Sequence, residues 1–347
     1  MQNISPKKAM NRNEIEKAPS PKVIAAIRRF DLAKAPRYFD GYYGSSLALE
    51  LSRRFNMPRD QVSVGYGIEF FLRSIFDSCN PKRDVVLANT PHYTFYSFYA
   101  QAKGVRLETF RLADKGDRFE FDVEDCIKKI RAVAPKIVLI TSPNNPTGNS
   151  ITAKNFERIL RAAPRTSLVV LDEAYVGFDD EYKEAAFLKL LKKYENMVIL
   201  RSFSKRYALA GLRIGFALWG TRAKSIIRYD DLYLGGSQLL EDVAVAALNS
   251  EAYYRKLARE IITDREQLAA AVNKLKNFTA YESHANFVLV KIEPPLAKNF
   301  SIKSPIAKIV MPGFMRVSLG SHKHIAGFIA ELKNAELKLK KINGRHD

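Results

Sequence analysis

The residues of this sequence best suited to chemistry stand in short polar strings along the chain. Ser202-Phe203-Ser204-Lys205 sets an amine beside two hydroxyls. A lysine in a partly closed cleft can act as a nucleophilic amine, and serines can donate to a phosphate. Alone, such a string is an ordinary surface turn of a basic protein. Asp172-Glu173-Ala174-Tyr175 places a carboxylate at the end of an apolar run. An ionised aspartate there needs a cationic partner, such as the protonated ring nitrogen of a bound heterocycle. A helix N-cap is the plain alternative. Ser142-Pro143-Asn144-Asn145-Pro146-Thr147-Gly148 is the most specific string. Two asparagines between prolines make a rigid polar loop whose amides can donate to an oxygen on such a ring; otherwise it is a turn.

Further strings suit anions. Arg213 lies eight positions after Lys205, in Ala210-Gly211-Leu212-Arg213-Ile214-Gly215. Glycines permit close backbone approach, and a guanidinium can hold a phosphate by two parallel hydrogen bonds. Gly65-Tyr66-Gly67 opens a helix, whose free N–H groups attract anions. Tyr93, in Thr90-Pro91-His92-Tyr93, offers a face for ring stacking or is a core aromatic. Arg316, in Met315-Arg316-Val317-Ser318-Leu319-Gly320, suits a substrate carboxylate or phosphate, or a surface ion pair.

These strings need elements to bring them together. Patterning predicts helices at Pro21–Phe30, Leu47–Phe55, Ile68–Asp77 and Thr94–Lys103, with more through Glu241–Leu275 and a last one at Ile325–Ile342. It predicts strands at Val62–Val64, Val85–Ala88, Ile137–Thr141, Leu168–Asp172, Val198–Arg201 and Phe287–Lys291, several of them fully apolar as in buried parallel sheets. The expected fold is α/β, a three-layer αβα large domain around a mostly parallel sheet, with a smaller α+β domain. The large domain is expected over 40–248 and the small one over 249–347, joined by an N-terminal segment, 1–39. Ligands of open α/β sheets sit beyond the carboxyl ends of the strands, and four of the polar strings follow predicted strands directly.

Composition narrows the function. The 347 residues suit two packed domains. No run of 18 apolar residues and no secretory signal is read. Cys79 and Cys126 show neither metal-site nor disulfide spacing, so no metal is expected and a cytoplasmic location is. The net charge of +19 is spread along the chain. Without a nucleic-acid motif it reads as a solvated basic surface.

The strings at 142–148, 172–175, 202–205 and 210–215, in that order and spacing, resemble the signature of class I/II, fold-type I, pyridoxal-phosphate aminotransferases. Met10–Glu14 followed by Pro19-Ser20-Pro21, Arg37–Asp40, Ala285–Val288 and Arg316–Ser318 resemble the histidinol-phosphate aminotransferase branch. The resemblance implies pyridoxal phosphate as cofactor, held by Lys205 as a Schiff base, with Lys205 also moving the substrate proton. It implies Asp172 on the ring nitrogen, Asn145 and Tyr175 on the ring oxygen, and Tyr93 on the ring face. Ser202, Ser204, Arg213 and the Gly67-Ile68 backbone would hold the phosphate. Tyr38, or Tyr42 in its place, would reach the neighbouring site of a homodimer. Arg316 would bind the substrate's acidic group.

Three residues depart from that branch. Lys17 and Ala18 stand where it has an aromatic residue and a glycine, and Lys303 stands where it has a second arginine. With Arg316, Lys17 and Lys303 can form a three-cation substrate pocket. Decarboxylation of a phosphorylated amino acid, as in threonine-phosphate decarboxylases, and transfer from aromatic amino acids stay open. A binding protein on the same scaffold is disfavoured by the presence of Lys205, Asp172 and Arg213.

Overall fold

The computed structural model describes residues 10–36, 45–223, 237–294, 296–298 and 300–343; Tyr38 and Tyr42 lie outside them. In chain order the elements begin with α1 (Pro21–Arg28), α2 (Ser46–Phe55), β1 (Val62–Gly65), α3 (Ile68–Asp77), β2 (Val85–Thr90) and α4 (Thr94–Lys103). Next come β3 (Arg106–Asp114), β4 (Phe119–Phe121), α5 (Val123–Val133), β5 (Ile137–Thr141), α6 (Ala153–Ala162), β6 (Leu168–Asp172), α7 (Glu184–Lys193), β7 (Met197–Ser202) and β8 (Gly215–Trp219). The rest is α8 (Gln238–Leu248), α9 (Glu251–Val272), β9 (Phe278–Ala280), β10 (Phe287–Ile292), β11 (Ala307–Met311), β12 (Phe314–Ser318) and α10 (His322–Asn343).

Local signals explain these limits. α3 buries Ile68, Phe71, Leu72, Ile75 and Phe76, one stripe at helical spacing. α2 is capped by the Ser45 hydroxyl, which accepts from the Ala48 N–H, and stops at Asn56 in the left-handed conformation. α4 stops at Gly104, also left-handed. All five residues of β5 and of β6 are buried.

The large sheet runs β1-β8-β7-β6-β5-β2-β3-β4. β3, β2, β5, β6 and β7 are mutually parallel, β8 is antiparallel to both β7 and β1, and β4 is antiparallel to β3. Two reversals restore the direction of β1, so its carboxyl end shares an edge with those of β5, β6 and β7. Alternate residues feed two apolar cores, one on each face: Val138, Ile140, Val169 and Leu171 on one side, Ile137, Leu139, Leu168 and Val170 on the other. Both faces are covered by helices, as a largely parallel sheet requires.

A second, antiparallel sheet has the order β11-β12-β10-β9, and α9 packs on β9 and β10. The N-terminal stretch crosses this unit. The Met10 N–H donates to the Pro305 carbonyl at 2.9 Å. The Ser20 N–H donates to the Tyr254 hydroxyl at 3.2 Å. Buried Arg265 of α9 fastens the second sheet to the first by donating to the carbonyls of Phe178 (2.8 Å) and Ala285 (3.1 Å).

Candidate active site at the carboxyl edge of the large sheet

Asp172 ends β6 and is 2% exposed. Its carboxylate accepts from the Tyr96 hydroxyl at 2.5 Å and the Ala174 N–H at 3.0 Å. No cation pairs with it among the described residues. Burial pushes its carboxyl up to about 6, and the two hydrogen bonds only partly oppose that rise. Tyr96 also meets Thr141 Oγ1 at 2.8 Å, and burial beside Asp172 raises its phenol well above the usual range.

Three residues after Asp172, the buried Tyr175 hydroxyl accepts from Asn145 Nδ2 (3.4 Å) and from Asn13 Nδ2 (3.0 Å). Lys205 follows β7, the neighbour of β6, and its Nζ stands 5.4 Å from the centre of the Tyr175 ring. The amine donates to the carbonyls of Arg12 (2.7 Å) and Asn13 (3.3 Å). The 142–149 loop is braced from within: Asn144 Nδ2 donates to Thr147 Oγ1 (2.6 Å) and the Asn144 N–H to the Asn149 carbonyl (2.9 Å). That bracing fixes the neighbouring Asn145.

The antiparallel turn from β7 into β8 carries Ser204, Lys205 and Arg213. Arg213 Nη1 lies 3.4 Å from Ser204 Oγ, and its Nη2 pairs with Glu69 at 2.8 Å. The Ser202 hydroxyl accepts from the Ser204 N–H at 3.0 Å. Gly67 caps α3 at φ +71°, and a Cβ there would stand 2.9 Å from Arg213 Nη2. A Cβ on Gly215 would come within 2.8 Å of the Gly67 backbone. Both glycines therefore let the Gly67-Ile68 start of α3 and the Arg213 guanidinium close around one small space. The Tyr93 hydroxyl donates to Glu69 at 3.3 Å, and the Tyr93 ring meets Tyr96 edge-on at 5.9 Å. Burial and the nearby Glu69 carboxylate raise the Tyr93 phenol.

Arg316, on β12, crosses from the second sheet. Its Nη1 donates to Asn145 Oδ1 (2.6 Å) and its Nη2 to the Asn11 carbonyl (2.6 Å). Its Nε is buried with no hydrogen-bond partner among the described residues.

The structure thus brings Asp172, Tyr175, Asn145, Lys205, Ser202, Ser204, Arg213, Gly67, Ile68, Tyr93 and Arg316 to one edge. The contacts of Lys17 and Lys303, the other two cations of the expected substrate pocket, lie elsewhere. The Lys17 side chain is 58% exposed and faces Glu260 at 3.6 Å. Lys303 is exposed ahead of β11, its N–H on Glu331. Sequence reasoning gave no role to Tyr96, Glu69 or Asn13. Tyr96 looks like one more apolar residue of α4, and Asn13 meets its partners only across most of the chain.

The sequence pattern of the family described as "Aminotransferase class I and II" matches residues 7–331. The chain belongs to this aminotransferase family. This aminotransferase is 31% identical over 320 residues to histidinol-phosphate aminotransferase 2 of Archaeoglobus fulgidus, covering 90% of this chain and 89% of the relative. It superposes on the crystal structure of histidinol-phosphate aminotransferase from Sinorhizobium meliloti in complex with pyridoxal-5'-phosphate, with TM-score 0.82, 25% identity and coverage of 95% and 90%. It also superposes on L-threonine-O-3-phosphate decarboxylase from Porphyromonas gingivalis, with TM-score 0.71 and coverage of 90% and 94%; at 19% identity this shows a shared fold alone. The cofactor of the aminotransferase is pyridoxal phosphate, and its site suits that group: a buried carboxylate with no cation beside it among the described residues, and a close approach of Arg213 to the start of α3 that two glycines permit.

Proposed function

We propose that this aminotransferase moves an amino group between a phosphorylated amino compound of the histidinol-phosphate kind and a 2-oxo acid. The observation that carries the reading is Lys205 lying against Tyr175, one strand away from a buried Asp172 with no cation beside it among the described residues. The relatives' names support the substrate class, as does Arg316, whose guanidinium can take an acidic group of the substrate.

In this reading Lys205 would hold the cofactor through its aldehyde carbon, and its free amine would take the proton from the substrate α-carbon and deliver it again. Bound in the site, pyridoxal phosphate supplies an electron-withdrawing ring that stabilises negative charge at that carbon. Asp172 keeps the ring nitrogen protonated. Tyr175 and Asn145 orient the ring oxygen, and Tyr93 covers one ring face. Ser202, Ser204, Arg213 and the Gly67-Ile68 amides hold the phosphate. The same reading divides the chain into 1–39 with 249–347 as the small domain and 40–248 as the large one. It makes the enzyme a cytoplasmic homodimer in which Tyr38, or Tyr42, reaches the neighbouring phosphate.

A spectral screen tests this reading. Histidinol phosphate, aromatic amino acids, glutamate and phosphothreonine are added in turn to cofactor-loaded protein. Histidinol phosphate should convert the long-wavelength band to that of the aminated cofactor. Borohydride should attach the cofactor to the Lys205 peptide, and Lys205→Ala should abolish that attachment. Carbon dioxide release from phosphothreonine without nitrogen transfer would replace the reading with decarboxylation.

A further inference from the structure

Asn13 is fully buried, and each of its polar atoms is engaged. Its N–H donates to the Ser318 hydroxyl at 3.1 Å, and its Oδ1 accepts from the same hydroxyl at 2.8 Å. Its Nδ2 donates to the Tyr175 hydroxyl at 3.0 Å. Its carbonyl accepts from Asn286 Nδ2 at 3.0 Å and from Lys205 Nζ at 3.3 Å. The backbone has φ +56°, a left-handed conformation that asparagine tolerates better than most residues. The two preceding carbonyls continue the pattern: Arg12 accepts from Lys205 and Asn11 from Arg316. One irregular segment thus ties Ser318 of β12 and Asn286 ahead of β10 to two side chains at the edge of the other sheet.

We propose that Asn13 is a positioning residue for amino-group transfer, aiming the Tyr175 hydroxyl and fixing the Lys205 amine by clamping both to the second sheet. The inference rests on the roles of Lys205 and Tyr175 given above. Asn13 and Asn145 together supply two N–H donors to the phenol oxygen of Tyr175. Both oxygen lone pairs are then occupied, and the O–H is left to donate to a third group. The carbonyls of Arg12 and Asn13 hold the lysine amine without being able to take its proton, so they set its place and do not compete with it as bases. Ser318, donating to Oδ1, fixes which way the Asn13 amide faces. A displacement of about 1 Å in such a constellation can cost on the order of 100-fold in rate.

Two substitutions separate aim from bulk. Asn13→Asp keeps the shape and the acceptor for Ser318 but replaces the donor to Tyr175 with a carboxylate. Asn13→Gly keeps the left-handed backbone and removes the side chain. Both should lower kcat roughly tenfold or more while KM for the amino donor stays within about threefold. In Asn13→Asp the pH midpoint of the cofactor's visible band should rise by about half a unit or more, because a nearby negative charge favours the protonated form. The kcat effect of Asn13→Asp should largely vanish in a Tyr175→Phe background, since the two residues act as one unit. Wild-type kcat and an unshifted band in Asn13→Asp would overturn the proposal, and so would an effect that persists undiminished beside Tyr175→Phe. If Asn13→Asp does not retain cofactor, Asn13→Gly decides: a lower melting temperature with kcat per bound cofactor and band midpoint unchanged makes Asn13 merely structural. Borohydride trapping at Lys205 in the wild type keeps the two claims apart. Its failure overturns the site reading, whereas trapping with indifferent Asn13 variants overturns only the role of Asn13.

Discussion

The Tyr96 hydroxyl stands 2.5 Å from Oδ2 of Asp172, and it is the only side-chain hydroxyl donating to that carboxylate among the described residues. A hydrogen bond to a charged group is worth about 1.5–3 kcal/mol. Tyr96→Phe should push the Asp172 carboxyl further above its already raised value. A carboxyl protonated near neutrality pairs poorly with a ring nitrogen. Equilibrium dialysis should find cofactor binding weakened by about tenfold at pH 7, with a smaller loss at pH 8.5. Equal losses at both pH values would detach Tyr96 from the charge of Asp172.

Asp172 also makes the cofactor's effect on stability depend on pH. Its folded carboxyl sits at about 6, above an unfolded value of about 3.9. Without cofactor the native state therefore binds the extra proton between these values. The group's contribution to stability is present at low pH and is lost as pH rises through about 4 to 6, by about 3 kcal/mol in all. In the proposed binding mode a cation on the ring nitrogen would remove that loss. The rise in melting temperature on cofactor addition should be larger at pH 7.5 than at pH 5 by about 3–5 °C, and Asp172→Asn should erase the difference. Thermal scans of the wild type and this variant, with and without cofactor, check it.

Glu69 occupies Arg213 where the phosphate of the cofactor is proposed to bind. The pair is partly exposed, so its strength is that of a surface ion pair, up to about 1 kcal/mol. Glu69→Gln should strengthen binding of inorganic phosphate to the cofactor-free protein by up to about fivefold. Titration calorimetry at low salt measures this. Unchanged or weaker phosphate binding would mean that Glu69 does not compete for the guanidinium.

His284 joins the two sheets in a pH-dependent way. Its Nδ1 lies 3.0 Å from Asp179, and that hydrogen bond holds its imidazolium above the usual range. A raised folded value means that the contribution is complete below about 6.5. It is lost as pH climbs through the folded value. His284→Gln should cost about 1 kcal/mol at pH 5.5 and much less at pH 9. Urea unfolding at the two pH values provides the comparison.

Much of this structure was legible where burial writes directly into composition. β5 and β6 are apolar throughout because helices cover both faces of the sheet, and the limits of α3 and α4 follow from their stripes and flanking residues. Strands toward the sheet margins were less legible, although the edge strand β1 was read. β3 alternates only weakly and opens on exposed Arg106, while β11 leaves Lys308 and Ile309 exposed. β8 begins at the last residue of the Ala210–Gly215 string, whose glycines drew attention to ligand approach and away from the strand that follows. At the site, the motif residues were legible because they follow buried strands. Asn13, Tyr96 and Glu69 were not, since each acts through a partner far away in sequence. The contacts of Lys17 were not legible either: charge and position along the chain do not say that its side chain faces Glu260.

The reversal of β8 against β7 has a mechanical result. Ser202 pairs with Gly215 where the two strands meet, so the intervening loop is pinned at both ends. Ser204, Lys205 and Arg213 all ride on that one loop. Any tilt of it would carry the proposed covalent anchor and the proposed phosphate contacts together, preserving the spacing between the two handles of a single small molecule. One proteolytic cut in the loop would disable both handles at once.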